Sequence, residues 1–550
     1  MHAIEFAVKC TVLTLLPSGL APVTAVAQLT DTGSIVGTVQ DQRGAAIPGA
    51  KITVTNIGTN VQQVTTTDVS GQYVVPSLKV ATYSLTVEKT GFQTFVHNGI
   101  IVDVQSRIQV DVTLQLGAMT ERVEVTGAPS LLHTQTAEVG QVVESKRMED
   151  LPLNGRNYDT LAYLTAGVFI PTGNLTTSAG EGYYNINGNS AAQNNYILDG
   201  ADNNSFIESY QGRSAQAGQP PVDALAEFKV QTRTYDTEFG RSAGGVINAQ
   251  IKSGTNVLHG AVWEFLRNSK LDTNDFFLNR AGASKPQYQR NQYGGTLGGP
   301  ILKDKAFVFG AFEGTRIRQG VTLLGSVPTP LMRQLNFSEL PSAPHSPTVP
   351  ALSQFSGCIN KSIVTPSCVD PVSTKLFGLY PLPNTNLGQN GIAGGFVGNN
   401  FISSPALSDD LDNGVIRADQ KIGEKDSLYQ HYSVVDERFD YPTIFQSVNP
   451  IADGDGNFQL SKTNARRQSA AVGMTHIFSP TTLLDLRTGW NRLAQHSKQL
   501  PFGQDVTDQF GLKGLPKNPV FTGGLPELDI TGFNQLGSLR WQPLIEISYA

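Results

Sequence analysis

From Val257 onward the chain alternates apolar and polar residues in strand-length runs, joined by connections of two very different lengths. The run AFVFGAFEGTRIRQ follows the tight connection Leu302-Lys303-Asp304-Lys305; NGVIRADQ turns at KIGEKD into SLYQHYSVVDE; AAVGMTHIF turns at SPTT into LLDLRTGWNR. In the last run Leu484, Leu486 and Trp490 fall on one face and Asp485, Arg487 and Gly489 on the other, as a period of two requires. In the first, VLHGAVWEFLRNS, Ala261, Trp263 and Phe265 share a face opposite Glu264. Between the tight turns run far longer stretches, of which 321 to 400 is rich in proline and poor in strand signals. A soluble sandwich also alternates, but it rarely pairs tight turns on one side with loops of tens of residues on the other. The pattern predicts strands that cross a membrane, one face toward lipid and one toward a lumen.

The amino terminus agrees with that compartment. Lys9 precedes the apolar run Cys10 to Leu16, then Pro17, Gly19 and the small-residue site Ala25-Val26-Ala27. Residues 1–27 thus predict an export signal, with His2 and Lys9 as its positive region. Cys10 would leave with it, so Cys358 and Cys368 remain as a candidate disulfide in an oxidising space. No later stretch holds eighteen apolar residues, which leaves no candidate spanning helix. Fifty-five glycines and only 16 % charged residues suit turns, close backbone approach and lipid-facing surface. The net charge of -6, with no lysine and arginine cluster, argues against a nucleic-acid partner.

Residues 28–117 read as about seven short strands of a small β-sandwich. Ile52 and Val54 alternate with Lys51, Thr53 and Thr55; Tyr83, Leu85 and Val87 with Ser84, Thr86 and Glu88. Ile108, Val110, Val112, Leu114 and Leu116 form the clearest alternation and predict one last strand. Turns are expected at Gly44, Pro48-Gly49 and Asp68–Gly71. The phrases GTVQDQRGAAIPGAKITVTN and TDVSGQYVVPSL resemble the carboxypeptidase regulatory-like domain, which is not itself a peptidase. That likeness admits carbohydrate binding, although Tyr73, Tyr83 and Phe92 read more simply as core or edge aromatics of a rigid spacer or docking module.

A hinge, 118–129, carries ERVEVTGAP, where Val123 and Val125 alternate with Glu124 and Thr126. Such a segment either packs on its own domain or is captured by a partner through strand addition. Residues 130–255 then hold RMEDLPLNGRNYDTLAYLTAGV, YYNINGNSAAQNNYILDGADNN and VDALAEFKVQTRTYDTEFGRSAGGVINAQIKSG. The first predicts a short helix near Asp159–Leu164, with Leu161 and Leu164 inward and Gly167 ending it. The second predicts a strand over Asn195–Asp199 that stops at Gly200. The third reads as a short acidic helical segment, a glycine-rich turn and an alternating strand.

Two local matches carry little chemistry. Gly240-Arg241-Ser242-Ala243-Gly244 fits G-x-S-x-G, but a nucleophile elbow needs an apolar strand before the serine and a helix after it. Here YDTEF is polar and VINAQI reads as strand, so no enzyme is expected. Asp199, Asp202, Asn203 and Asn204 lack the spacing of a calcium loop and read as a solvated turn, and DGDGN at Asp453 to Asn457 reads as a flexible turn. No metal or cofactor site is expected.

Five stretches in order resemble the TonB-dependent outer-membrane transporters, in the Oar-like subgroup with a carboxypeptidase-like extension. They are ERVEVTGAP (121–129), LPLNGRNYDTLAYLTAGV (151–168), NNYILDGADNN (194–204), EFKVQTRTYDTEFGRSAGGVINAQIKSGTNVLHG (227–260) and GGTLGGPILKDKAFVFGAFEG (294–314). The resemblance implies a mainly β chain: an Ig-like or transthyretin-like sandwich, a mixed α/β plug (130–255), and an antiparallel transmembrane barrel from residue 256. It implies an energy-coupling segment at Glu121, Val123, Glu124, Val125 and Thr126, pulled by an inner-membrane energy-transducing protein in the periplasm. It implies an outer-membrane lipid environment and an extracellular ligand, open among carbohydrate, peptide and chelate. Asp199, Glu227, Arg233, Glu238, Arg241, Gly244 and Gly245 become plug gate candidates, whose charges would face barrel-wall charges. About eight wall strands are legible against the roughly twenty-two of such a barrel, so either the chain is a fragment of a longer product or something else closes the wall. The competing reading is a non-transporting surface protein that binds carbohydrate or matrix.

Overall fold

The computed structural model describes residues 31–118, 122–126, 139–169, 184–190, 193–205, 216–235, 240, 242–274, 276, 279, 285–339, 357–360, 363–385, 398–452, 462–479, 482–498, 500, 502–503, 506–515, 524–530, 532–537 and 544–549. The chain is mainly β and falls into a sandwich, a plug and a barrel wall.

The sandwich has eight strands: β1 (Gly33–Asp41), β2 (Lys51–Asn56), β3 (Gln62–Thr66), β4 (Gln72–Leu78), β5 (Ala81–Glu88), β6 (Thr94–Val102), β7 (Arg107–Gln109) and β8 (Val112–Leu114). One sheet runs β4-β1-β7, with β8 also on β1; the other runs β3-β2-β5-β6 and ends in β9 (Arg122–Thr126) from the hinge. Alternation sorts the faces as expected: Ile52, Val54, Leu85 and Val87 are buried between the sheets. Tyr73 and Tyr83 are buried there as well, and the Tyr73 hydroxyl donates to the Val110 carbonyl at 2.7 Å. The final run is not one strand. It breaks at Val110 into β7 and β8, both parallel to β1, and Leu116 is left 75 % exposed.

The plug centres on a five-stranded sheet, β10-β15-β16-β13-β14, from β10 (Val139–Glu144), β13 (Asn195–Leu198), β14 (Ala201–Asp202), β15 (Leu225–Arg233) and β16 (Val246–Ile251). Helix α1 (Ser145–Asp150) and a small pair, β11 (Val168–Phe169) and β12 (Asn185–Ile186), complete it. A 3-10 helix covers Tyr158–Leu164, capped by the Asn157 side chain; Leu161 is inward, but Leu164 is 53 % exposed. Two further expectations fail here. The acidic helical segment is a single 3-10 turn, Val222–Ala224, after which EFKVQTR is strand because Phe228 and Val230 pack on the plug core. VINAQI has no wet face: β16 is the central strand, and Asn248 and Gln250 are as buried as Val246 and Ile247.

The wall is an antiparallel sheet in chain order, β17-β18-β19-β24-β25-β26-β27-β28. Its strands are β17 (His259–Asn268), β18 (Tyr288–Leu302), β19 (Ala306–Gly320), β24 (Ala406–Ile422), β25 (Asp426–Asp440), β26 (Lys462–Ser479), β27 (Thr482–Lys498) and β28 (Leu544–Tyr549). Short elements β20 (Leu323–Gly325), β21 (Ile359–Asn360), β22 (Ile363–Val364) and β23 (Phe401–Ser403) lie in the long connection. Register places Leu297, Gly310, Ile416, Tyr432, Ala470 and Trp490 in one row at one height. This row faces outward, and Leu484, Leu486 and Val262 extend its apolar band. Nearer the long-loop end the outer face turns charged, with Arg316–Asp412 at 2.6 Å, Arg318–Asp410 at 2.6 Å and Arg466–Asp436 at 2.6 Å. An apolar belt below a charged rim is the exterior of a strand wall that crosses lipid. Trp263 is on the other side, its indole N–H donating inward to Glu313 at 3.0 Å.

Three of the long connections, those after β19, β25 and β27, are not independent. Val327, Tyr380 and Phe401 from the first pack with Phe445 from the second and Val506, Phe510 and Leu536 from the third. Cys358 and Cys368 are joined by a disulfide within the first.

Candidate functional site

Asp199 is where plug and wall meet most deeply. It lies at the turn between β13 and β14, where Asp199 (φ 49°) and Gly200 (φ 76°) take the left-handed conformation of a two-residue hairpin. A Cβ on Gly200 would lie 2.2 Å from the Arg487 guanidinium, so the turn requires glycine both for its backbone and for this approach. The turn thrusts the carboxylate at the wall. Arg417 donates to one oxygen at 2.6 Å, the Ile251 N–H to the same oxygen at 2.9 Å, and His431 meets the other at 2.7 Å. The Tyr429 hydroxyl donates to the Asp199 carbonyl.

Burial makes these contacts consequential: Asp199 is 0 % exposed and Arg417 and His431 are each 4 % exposed. A buried charge is costly unless paired and hydrogen-bonded, and here it is both. Burial pushes the Asp199 carboxyl up, but Arg417 foremost and His431 outweigh it and hold the group below its ordinary range. Arg417 also clasps Asp419 at 3.0 and 3.1 Å, and Asp419 accepts from Ser253 at 2.7 Å and from Lys79 of the sandwich. Beside it Arg487 bridges Asp31 at 2.7 Å and Asp485 at 2.9 Å. The cluster joins sandwich, plug and three wall strands.

A second contact uses the NGRNY turn. Arg156 pairs with Asp223 and, at 3.1 Å, with Glu313, while its guanidinium centre lies 4.4 Å from the Phe265 ring and 5.4 Å from the Trp263 ring. Gln292 donates to the Gly155 carbonyl at 2.9 Å and Arg290 to Asn154 at 3.0 Å. Above it, toward the long loops, a cavity of about 290 Å³ is lined by Asn154, Gln219, Gln292, Asn413 and Arg467. On the short-turn side a cavity of about 500 Å³ lies between the sandwich, the plug exit and the wall rim.

The remaining expected residues fare differently. Glu227 does not face the wall: it is 2 % exposed and accepts from the Val104 N–H of the sandwich. The sandwich covers the face of β15 that was expected to meet the barrel, and burial, then nearby Asp103, pushes the Glu227 carboxyl well up. Arg233 is exposed at the end of β15, opposite Val139, rather than in the wall interface. Gly244 and Gly245 mark close packing rather than a left-handed turn; a Cβ would lie 2.4 Å from Asn194 and 2.4 Å from Ile186 respectively. Val123, Glu124 and Val125 lie in β9, paired parallel to β6 from Thr94↔Arg122 to Asn98↔Thr126, with Asn98 donating to Glu124 at 2.7 Å. Glu121, Glu238, Arg241 and the DGDGN turn lie outside the described residues. The Ser242 hydroxyl donates to the Gln193 and Gly245 carbonyls, each at 3.0 Å, and strand β16 follows it. The missed residues are wall and sandwich partners: Arg417, Asp419, Tyr429, His431, Arg487 and Lys79. Strand parity already put Arg417 and Asp419 on one face, and that was the available signal.

Comparison with known proteins fits this geometry. Residues 250–548 match the family described as outer membrane beta barrel domain, residues 133–246 the TonB-dependent receptor plug domain, and residues 34–115 the carboxypeptidase regulatory-like domain. A curated relative, the TonB-dependent transporter Oar of Myxococcus xanthus, is 31 % identical over 300 residues, covering 52 % of this chain and 27 % of that protein. The chain therefore spans about a quarter of that relative's length. Among solved structures, the outer membrane transporter YddB of Escherichia coli is 15 % identical with a TM-score of 0.41, covering 66 % of this chain and 40 % of that one. A mutant of the ferric enterobactin receptor PfeA of Pseudomonas aeruginosa is 10 % identical with a TM-score of 0.36, covering 66 % and 41 %.

Proposed function

The chain belongs to the outer-membrane β-barrel family, as a plugged wall of the TonB-dependent receptor type resident in that membrane, and from this premise we propose that it serves the active uptake of a bulky solute. The observation that carries the reading is the Asp199 cluster. The plug is seated in the wall through charged and hydrogen-bonded groups, with cavities on its two sides. Polar contacts of this kind exchange for water when a plug shifts, so the seat is firm at rest yet able to re-form. An apolar interface of equal size would expose its surface to water on every opening.

The pull enters at β9. An inner-membrane energy-transducing protein grips Val123 to Val125 by adding a strand, and the solute enters from the side of the long loops. Proline removes a backbone donor and fixes φ, so Val123→Pro with Val125→Pro blocks strand addition at β9 and also breaks its pairing with β6. Cells carrying the double variant are expected to lose accumulation of any labelled chelate, oligosaccharide or peptide that the parent takes up, with equal surface display. Undiminished uptake would overturn the energy-coupled reading.

A further inference from the structure

We infer that the amino-terminal sandwich is itself part of the gate, and that Lys79 is the residue through which it positions the plug; this rests on the uptake reading above. Lys79 stands in the turn between β4 and β5, outside both plug and wall. The buried Tyr83 fixes that turn, its hydroxyl donating to the Lys79 carbonyl at 2.8 Å. From there the ammonium reaches across 340 positions of sequence to Asp419. It also lies 5.9 Å from the centre of the Tyr429 ring, which Arg417 approaches at 5.2 Å. Asp419 is clasped by Arg417, and Arg417 and Tyr429 both touch Asp199, Arg417 at its carboxylate and Tyr429 at its carbonyl.

The consequence follows from competition for one cation. Arg417 serves two carboxylates, Asp199 of the plug and Asp419 of its own strand. While Lys79 balances Asp419, Arg417 is free to hold the plug. Withdrawing Lys79 leaves Asp419 with the Ser253 hydroxyl and with Arg417 as its remaining cation, and the grip on Asp199 slackens. Because β9 is zipped to β6, a pull on the hinge loads the sandwich before it loads the plug. Undocking the sandwich is then the first step of opening, and Lys79 is what the plug senses of it.

The test reads hydrogen exchange in the purified full chain in detergent, in the segments Asn195–Leu198, which leads into Asp199, and Val246–Ile251, which hydrogen-bonds it. Lys79→Ala is expected to raise exchange there roughly 3- to 10-fold while β2 and β5 stay protected, and Lys79→Arg to restore it. A second background separates positioning from mere attachment. A Cβ on Gly58 would lie 3.7 Å from the Thr255 Cβ, within disulfide reach, so Gly58→Cys with Thr255→Cys staples the sandwich in place. In the stapled protein Lys79→Ala should still raise plug exchange. No effect of Lys79→Ala, failure of Lys79→Arg to restore protection, or cancellation by the staple would each overturn the proposal. The measurement needs no solute and no energy source, so it stands or falls apart from the uptake experiment.

Discussion

A single carboxylate sets how firmly the plug sits. Asp199 accepts from a wall arginine, meets a wall histidine and caps the end of the central plug strand. Asp199→Asn keeps the shape and deletes the charge, leaving Arg417 half answered in a buried site. Removing one partner of such a pair is expected to loosen the seat by about 3–5 kcal/mol. The check is a lower urea midpoint for tryptic cutting between residues 195 and 251, with the wall strands still resistant. The end of the strand before Gly200 was legible in LDGADNN, but the solvated turn expected there is a buried hairpin, with Asp199 and Asn203 fully buried. The partners of Asp199 were not legible, since they lie 218 and 232 positions away and only wall closure around the plug brings them near. Strand parity names the residues that face inward; it does not say which charge meets which.

At the scale of elements, the same limit explains Glu227. Its segment was read as helical and is strand, and its covering neighbour, the β6–β7 bend of the sandwich with Asp103 and Val104, was invisible to local reading. Because the Glu227 carboxyl is raised by burial, with Asp103 and Lys229 facing it, its protonated form is favoured when the two domains are docked. The contribution to docking is complete below the ordinary glutamate value and fades as pH rises through the raised one. Energy transfer between dyes on sandwich and plug should therefore fall with rising pH in that window. Glu227→Gln should hold it flat; an unchanged slope would refute the assignment. The segment β9 was read as either parked or captured, and at rest it is parked on β6. Val123 and Val125 suit both arrangements, because a strand edge is the same object whether its own sheet or a visitor pairs with it.

Over the whole molecule, the division into sandwich, plug and wall was plain from the change of period and connection length. The eight wall strands were legible for the same reason, since each must alternate to face lipid and lumen at once. The long connections were opaque, because irregular backbone has no period to read. They form a layer of their own, with Tyr380, Phe401, Phe445 and Phe533 in contact edge to face or tilted. The Cys358–Cys368 bond closes a short loop of that layer, a sequence separation of 10. Cys358→Ser is expected to cost the layer about 2–3 kcal/mol. It should show as an added low-temperature step in the near-ultraviolet dichroism, with the far-ultraviolet strand signal unmoved.

That common interior ties the excursions after β19, β25 and β27 to one another. A lineage that altered one of them would inherit a misfit in the other two, because Val327, Phe445 and Leu536 are neighbours in space. Diversification of the outer face is then concerted rather than piecemeal, and grafting a foreign recognition segment calls for transplanting the trio as a unit.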